Sequence, residues 1–174
     1  MSTPVTFRAA ARDDLPAVQR LLADAGLPTD DVADLFAEHA SDFVVGEDAA
    51  APAELVAVAG IEVCCDDALL RSVAVRPAWR RHGVGEELVR HLVREAEGRG
   101  FRAMYLLTMT AERYFPRFGF ERVAREALPA AVAATPQCRS MCPASAVAMM
   151  RPLAASGAAS AAGCAPGSAA GCTA

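Results

Sequence analysis

Two arginines and two glycines stand at the mouth of a predicted helix, in the stretch VRPAWRRHGVGEEL over residues 75–88. The first N–H groups of a helix have no partner within the helix, and the helix dipole adds roughly half a positive charge there. Gly83 and Gly85 permit a tight turn and a close approach to the backbone, while Arg80 and Arg81 add charged donors. The pattern indicates a diphosphate cradle. An ordinary loop with solvated arginines fits the turn alone equally well, because a short glycine motif is weak evidence.

Two common phosphate-binding motifs do not fit this turn. A P-loop requires Gly-Lys followed by serine or threonine, and the chain contains no lysine. A dinucleotide fingerprint requires a third glycine three residues after Gly85, where the chain has Leu88. The missing lysine also excludes catalysis by a lysine amine.

The elements around the turn follow from hydrophobic periodicity. Apolar residues recur every four positions from Val84 to Ala96 and predict a helix over 83–98. Further helices are predicted over 15–25 and 30–40, and a short one over 111–120. Residues 127–143 read as a loop or short helix. Strands are predicted over 5–10, 42–48, 54–63, 68–75, 103–109 and 145–150. This order predicts an α/β fold of the mixed α+β kind, with a central, mostly antiparallel twisted sheet flanked by helices.

Length and composition bound the class of protein. The chain has 174 residues, 53% of them apolar, which suffices for one domain with a core. We place this domain at residues 1–151 and expect the tail over 152–174, rich in Ala, Gly, Ser and Cys, to be disordered. The net charge of −4 gives no reason to expect nucleic-acid binding. The sequence has no candidate membrane span and no signal-peptide pattern at residues 1–14, so we expect a cytoplasmic protein.

The wider pattern resembles the acetyl-CoA signature of the GNAT superfamily of N-acetyltransferases. It reads Leu70-x-x-Val73-x-Val75-x-Pro77-x-x-Arg80-x-x-Gly83-x-Gly85, and YFPRFGF over 114–120 resembles the family's second element. The resemblance covers about residues 5–151. It implies a GNAT fold in which strands 69–75 and 103–109 splay apart to hold acetyl-CoA. It also implies that the cosubstrate is bound by Val73, Val75, Arg80, Arg81, His82, Gly83, Val84 and Gly85, the first two through the pantetheine and the others through the pyrophosphate.

Three longer stretches are similar to the ArsN-type acetyltransferases found with arsenic-resistance genes: DDALLRSVAV, YLLTMTAERYFPRFGF and CPASAVAM. This resemblance implies an acyltransferase that moves acetyl from acetyl-CoA to the primary amine of a small molecule. The amine attacks the thioester directly. A glutamate-analogue toxin is our hypothesis for the acceptor. Members of the family are often dimers, so a homodimer is an open expectation.

Three residues are candidates for the acceptor end of the reaction, two as a base and one as a substrate anchor. An amine needs to lose a proton before it attacks, and Glu62, at the end of a predicted strand, is our candidate base. Glu126 is a weaker alternative. The structural interpretation of Glu62 is a glutamate at the end of a strand that faces water. Arg71, within the strand 68–75, suits a carboxylate, phosphinate or arsinate group of the substrate. Its structural interpretation is an edge-strand arginine in an ion pair.

One departure from the family pattern leaves the general acid open. Many members have a tyrosine four residues before the glycine of the second element, and here that residue is Phe115. Tyr114 points about 100° aside on a helix and is predicted to pack instead. The alternative function is an acyl-CoA-sensing or metalloid-binding accessory protein. Its thiols would come from six cysteines, of which Cys138 and Cys142 are one helical turn apart. None has the spacing of a zinc site, so no metal is expected.

Overall fold

The computed structural model describes residues 5–154, and within them the apolar, β-branched runs form one mixed sheet. In this part of the chain the sheet has seven strands in the order β1-β2-β3-β4-β5-β7-β6. Every neighbouring pair is antiparallel except β4 and β5, which are parallel. The mixed, mostly antiparallel class is therefore confirmed. The strands are β1 Val5–Ala9, β2 Phe43–Asp48, β3 Ala51–Cys64, β4 Asp67–Val75, β5 Ala103–Thr108, β6 Glu121–Val123 and β7 Val147–Pro152.

Four α-helices and one π-helical turn flank the sheet in the described residues. They are α1 Leu15–Asp24, α2 Val32–His39, α3 Val84–Gly98, α4 Ala130–Ala133 and the turn Gln137–Met141. The predicted short helix at 111–120 is a 3₁₀ turn, Phe115–Phe118, that ends at Gly119 with φ of +83°. None of the described helices is both long enough and apolar enough to span a bilayer.

The helix α3 covers one face of the sheet with the apolar stripe that its sequence predicts. Six of its side chains are buried: Val84, Leu88, Val89, Leu92, Val93 and Ala96. They pack with Leu70 and Leu106 of the two parallel strands. Each large side chain buried in this way contributes about 1.5–3 kcal/mol to folding. The stripe thus fixes α3 against β4 and β5.

The opposite face is covered by the remaining helices. Successive strand residues point to opposite faces, and Leu69 accordingly packs with Val132 of α4 rather than with α3. Helices α1 and α2 cover Val58 and Ala74 on this same face, nearer the N-terminal strands. The face therefore carries α1 and α2 on one side and the α4 region on the other.

The described end of the chain extends beyond the predicted domain boundary at 151. Pro152 belongs to β7. Leu153 is buried in the core beside α3, and its N–H donates to the carbonyl of Arg102 at 2.9 Å. The domain thus includes these two residues. The rest of the predicted tail, from residue 155, lies outside the described residues.

Candidate active site

The sheet opens between β4 and β5. These two strands pair only at Ala68 with Met104 and at Leu69 with Tyr105. Beyond that point they separate, and a cleft of about 980 Å³ lies between them. The predicted splaying of strands 69–75 and 103–109 is confirmed. Because the strands no longer pair with each other, their backbone polar groups can bond a ligand.

A bulge in β4 lies where the strands separate. Val58 pairs with Ala74 and Gly60 with Arg71, so the single residue between them on β3 faces two residues of β4. One of those two, Ser72, has φ of +56°. A left-handed backbone at a non-glycine residue costs of order 1–3 kcal/mol, and such residues cluster at functional sites. The bulge changes the direction of β4 at the centre of the cleft.

Val73 and Val75 face the cleft with their backbone groups. The N–H of Arg76 donates to the carbonyl of Val56 on β3 at 2.8 Å. Backbone groups alternate in direction along a strand, so those of Val75 and Val73 point away from β3. Both residues line the cleft. This is the geometry that the predicted pantetheine contact requires.

The predicted pyrophosphate turn caps helix α3. Gly83 is the N-cap residue with φ of +81°, and Arg81 is also left-handed, with φ of +65°. The side chain of Arg80 is folded back, and its Nε donates to the carbonyl of Val75 at 3.0 Å. Arg80, Arg81, Gly83 and Gly85 all line the cleft. The turn therefore presents the positive end of a 15-residue helix to the cleft.

His82 and Val84 are placed differently from the other predicted cosubstrate residues. His82 is exposed, and Val84, the first residue of α3, is buried. Neither is part of the cleft lining. Their side chains do not face the predicted ligand. The contact predicted for these two residues is through the amides of the turn, and their backbone groups do lie in the turn.

An aromatic cluster lines the cleft beside the turn. Tyr114 and Phe115 both line the cleft. The hydroxyl of Tyr114 lies over the first turn of α3, since a Cβ added at Gly85 would be 3.1 Å from it. Arg117 stacks on the Tyr114 ring, with its guanidinium carbon 4.5 Å from the centroid, and adds a third arginine to this end of the cleft. The sequence motif contained Arg117, but its spacing gave no signal for this role.

Replacing Tyr114 by phenylalanine is expected to change kcat by less than about threefold. A general acid contributes typically 10²–10⁴-fold, but this hydroxyl lies beside the turn, and burial raises its pKa. Steady-state kinetics and the pH profile of kcat measure the effect. Tyr105→Phe on β5, where the ring packs away from the cleft lining, is the matched control. A loss near 100-fold with a changed alkaline limb would identify Tyr114 as the acid.

The other end of the cleft opens between α1 and the segment after α4. Ala25, Gly26, Leu27 and Pro28 line one side of it, and the opposite side is lined by Gln137, Met141, Cys142 and Pro143. The segment 127–143, predicted as a loop or short helix, thus borders the cleft through its last residues. Most of this lining is apolar, with Arg71 of β4 as the charged side chain among it.

Arg71 is buried between two carboxylates. Its side chain is 3% exposed, its Nη1 donates to Oε2 of Glu62, and its Nη2 donates to Oδ1 of Asp31, each at 2.7 Å. Burial opposes the positive charge, but the two carboxylates outweigh it and raise the pKa of the guanidinium. The structure thus contains the ion pair of the structural interpretation, and Arg71 also lines the cleft where an acceptor would lie. Asp31 was not identified from the sequence.

Glu62 reaches the cleft only through Arg71. Its carboxylate is bonded to that arginine and is not part of the cleft lining. Glu62 instead lines a smaller pocket of about 230 Å³, with Glu38, His39 and Asp42. A base must lie within hydrogen-bond reach of its proton, directly or through one water. The position of Glu62 permits only the indirect route. Glu126, the weaker candidate, is not part of either lining.

Three cysteines lie near the acceptor end. Cys64 is buried, and Cys138 and Cys142 pack partly buried against the same apolar cluster. Burial raises the pKa of the Cys64 thiol to about 12, and burial also raises that of Cys142. Thiols held in the protonated form are poor ligands for soft metals or metalloids. Across residues 5–154, no group of three or more His, Cys, Asp or Glu side chains is placed to hold a metal ion.

The sheet thus opens between two parallel strands into a cleft that has the glycine-arginine turn at one end and the buried Arg71 at the other. The sequence model of the Acetyltransferase (GNAT) family matches residues 10–120. The chain belongs to this family. The match confirms the predicted superfamily.

One relative is similar in sequence and two solved structures are similar in fold. The chain is 36% identical over 62 residues to the amino-acid acetyltransferase of Pseudomonas aeruginosa, a match that covers 36% of this chain and only 14% of that protein. Its fold is similar to N-acetylglutamate synthase from Neisseria gonorrhoeae complexed with coenzyme A and N-acetyl-glutamate (TM-score 0.72, 20% identity, 88% of this chain and 36% of that chain). It is also similar to Rv2747 from Mycobacterium tuberculosis in complex with CoA and NLQ (TM-score 0.71, 24% identity, 86% of this chain and 99% of that chain).

Proposed function

We propose that this protein transfers the acetyl group of acetyl-CoA to the α-amino group of an amino acid or a close analogue. One observation carries the proposal. A single cleft joins the glycine-arginine turn at the N-terminus of α3 to the buried guanidinium of Arg71 on the other face of the sheet. The turn suits the pyrophosphate of the coenzyme, and an arginine suits the carboxylate of the acceptor. The similarity to an amino-acid acetyltransferase supports the same class of acceptor.

The coenzyme lies across the opened sheet in this proposal. The pyrophosphate accepts from the turn over residues 80–85, beside Arg117. The pantetheine pairs with the backbone of Val75 and Val73 as an added strand would. The thioester carbonyl then lies at the bulge around Ser72, where strained backbone groups of β4 are free to polarise it.

The acceptor enters from the other face, between α1 and the segment 137–143. Its carboxylate is anchored by Arg71, and its neutral amine attacks the thioester carbonyl directly. The C–N bond forms as the C–S bond breaks, and the electron pair of the C–S bond leaves with the coenzyme as a thiolate. The acetylated nitrogen then releases its extra proton through water to that thiolate, which gives the neutral amide and the free thiol. Glu62 remains the predicted base and takes the proton of the ammonium through a water. A thiol pKa near about 8.5 lets the thiolate leave without a tyrosine acid.

A glutamate analogue is the finer hypothesis for the acceptor, and the ArsN-type resemblance is what supports the hypothesis of a role in arsenic resistance. Arg71 is compatible with a carboxylate, phosphinate or arsinate on such a molecule. The apolar lining contributed by Leu27, Pro28 and Met141 suits an aliphatic side chain as well. A panel of acceptors therefore needs both glutamate analogues and amino acids with aliphatic side chains.

Thiol release from acetyl-CoA tests the proposal. The protein is incubated with acetyl-CoA and each of the proteinogenic amino acids, with phosphinothricin, and with simple amines that lack a carboxylate. We expect release with one or more carboxylate-bearing acceptors and a mass increase of one acetyl group in the product. Arsenite binding to the reduced protein is measured in parallel. Arsenite binding, together with no release of thiol from acetyl-CoA in the presence of any acceptor, would contradict the proposal and favour the accessory function.

A further inference from the structure

Asp31 is the N-cap residue of α2, yet its carboxylate makes no side-chain cap there. Aspartate at this position usually accepts from a backbone N–H of the first turn and stabilises the helix by about 1 kcal/mol. Here the carboxylate turns instead toward the sheet and accepts from Nη2 of Arg71, 40 residues away along the chain. The same carboxylate thus has two uses within its reach, a helix cap and an ion pair.

The ion pair between Asp31 and Arg71 is incomplete. Oδ2 of Asp31 and Nε of Arg71 are both buried, and neither has a hydrogen-bond partner in the described residues. A guanidinium presents Nη2 and Nε on one edge, in the fork that a carboxylate accepts with two parallel bonds. Asp31 uses half of that edge. A buried donor left without a partner costs free energy, so this edge favours any carboxylate that can make both bonds.

Glu62 holds the opposite side of the guanidinium. Its bond to Nη1 is independent of Asp31 and comes from β3. If Asp31 leaves, Arg71 therefore keeps one partner and its place in the floor of the cleft. Asp31 lies where the connection between α1 and α2 joins α2, and its side chain is 15% exposed. It can turn to water or to the first turn of α2 without unfolding either helix.

We propose that Asp31 is an exchangeable occupant of the Arg71 fork, displaced when the acceptor's carboxylate binds. The inference rests on the proposed function, since it takes Arg71 as the carboxylate anchor. The incoming carboxylate bonds Nη2 and Nε, and Asp31 is released toward the N-terminus of α2. Ala25–Pro28 belong to the same connection and line the acceptor opening. Acceptor binding is thereby coupled to the position of this connection, and Asp31 sets the affinity for carboxylate-bearing acceptors.

Asp31→Asn tests this exchange, because asparagine keeps the size and the capping ability but loses the charge that competes for Arg71. The KM for the carboxylate acceptor of highest kcat/KM is expected to fall by about three- to tenfold, as the fraction of molecules with an open fork rises. The KM for acetyl-CoA stays unchanged. Asp30→Asn, at the exposed neighbouring residue, makes the same charge change and serves as the control. Thermal unfolding confirms that each variant is folded.

A binding measurement separates this inference from the proposed function. Thermal shifts are recorded with L-glutamate, L-methionine and the carboxylate-free L-methioninamide, in the presence of coenzyme A. Tighter binding of the two carboxylates to Asp31→Asn, without any thiol release, keeps the exchange and overturns the proposed reaction. Thiol release with an unchanged or raised acceptor KM in Asp31→Asn overturns the exchange, and makes Asp31 a fixed brace instead. Absence of both effects overturns both.

Discussion

Replacing Gly83 by valine is expected to raise the KM for acetyl-CoA by about 10- to 100-fold, which corresponds to roughly 1.4–2.8 kcal/mol of binding free energy. Gly83 has φ of +81°, and a Cβ added there would meet no atom within 4 Å. The loss therefore comes from the backbone rather than from a clash. A β-branched residue resists the left-handed conformation, at about 1–2 kcal/mol, and the turn relaxes away from the geometry that aims its N–H groups into the cleft.

A glycine of the same conformation elsewhere provides the control. Gly100 follows the other end of α3 and has φ of +80°. Gly100→Val should cost similar stability but leave the KM for acetyl-CoA unchanged. Steady-state kinetics with varied acetyl-CoA, together with a direct titration with coenzyme A, measures both variants. Equal affinity of Gly83→Val and the natural protein for coenzyme A would show that the pyrophosphate lies elsewhere.

The glycine-arginine turn at the mouth of the cleft could be predicted from the sequence because its geometry is local. Glycine conformations, the end of β4 and the start of α3 lie within about ten residues, and each follows from short-range rules of turns and helix caps. The class of sheet, mixed and mostly antiparallel, could also be predicted, since the order of elements restricts the topology. His82 and Val84 show the limit of this reasoning. A motif identifies the turn, but the direction of each side chain depends on how α3 packs.

The end of the cleft around Arg71 was harder to predict from the sequence because its contacts join distant parts of the chain. Arg71 and Glu62 were each singled out, but their mutual bond depends on the register of β3 against β4. Asp31 reads as an ordinary N-cap from its position before an apolar helical run. Only the packing of α2 against the sheet turns it toward Arg71. The position of the Tyr114 hydroxyl could not be predicted from the sequence either, because its place above Gly85 follows from how the aromatic cluster packs against α3.

Arg71→Ala is expected to raise the acceptor KM by about 10- to 100-fold while the KM for acetyl-CoA changes by less than about threefold. The change removes the proposed anchor of the carboxylate and does not touch the turn that is proposed to bind the pyrophosphate. The same change leaves Asp31 and Glu62 without their cation. Removal of one partner from a buried ion pair typically costs about 3–5 kcal/mol, so a lower thermal midpoint is expected as well.

Stability and binding can be separated with two further variants. Arg76→Ala removes an exposed arginine that pairs with Glu54 just beyond the same strand, and such pairs contribute about 0–1 kcal/mol. The double variant Arg71→Ala with Asp31→Asn removes one of the two stranded carboxylates. It should recover part of the lost stability but none of the acceptor affinity, because a site without the Arg71 guanidinium has no donor fork for a carboxylate. Kinetics are measured well below the thermal midpoint of each variant. Recovery of acceptor KM in the double variant, or equal rises of both KM values in Arg71→Ala, would show that Arg71 supports the fold alone and that the acceptor is held by other residues.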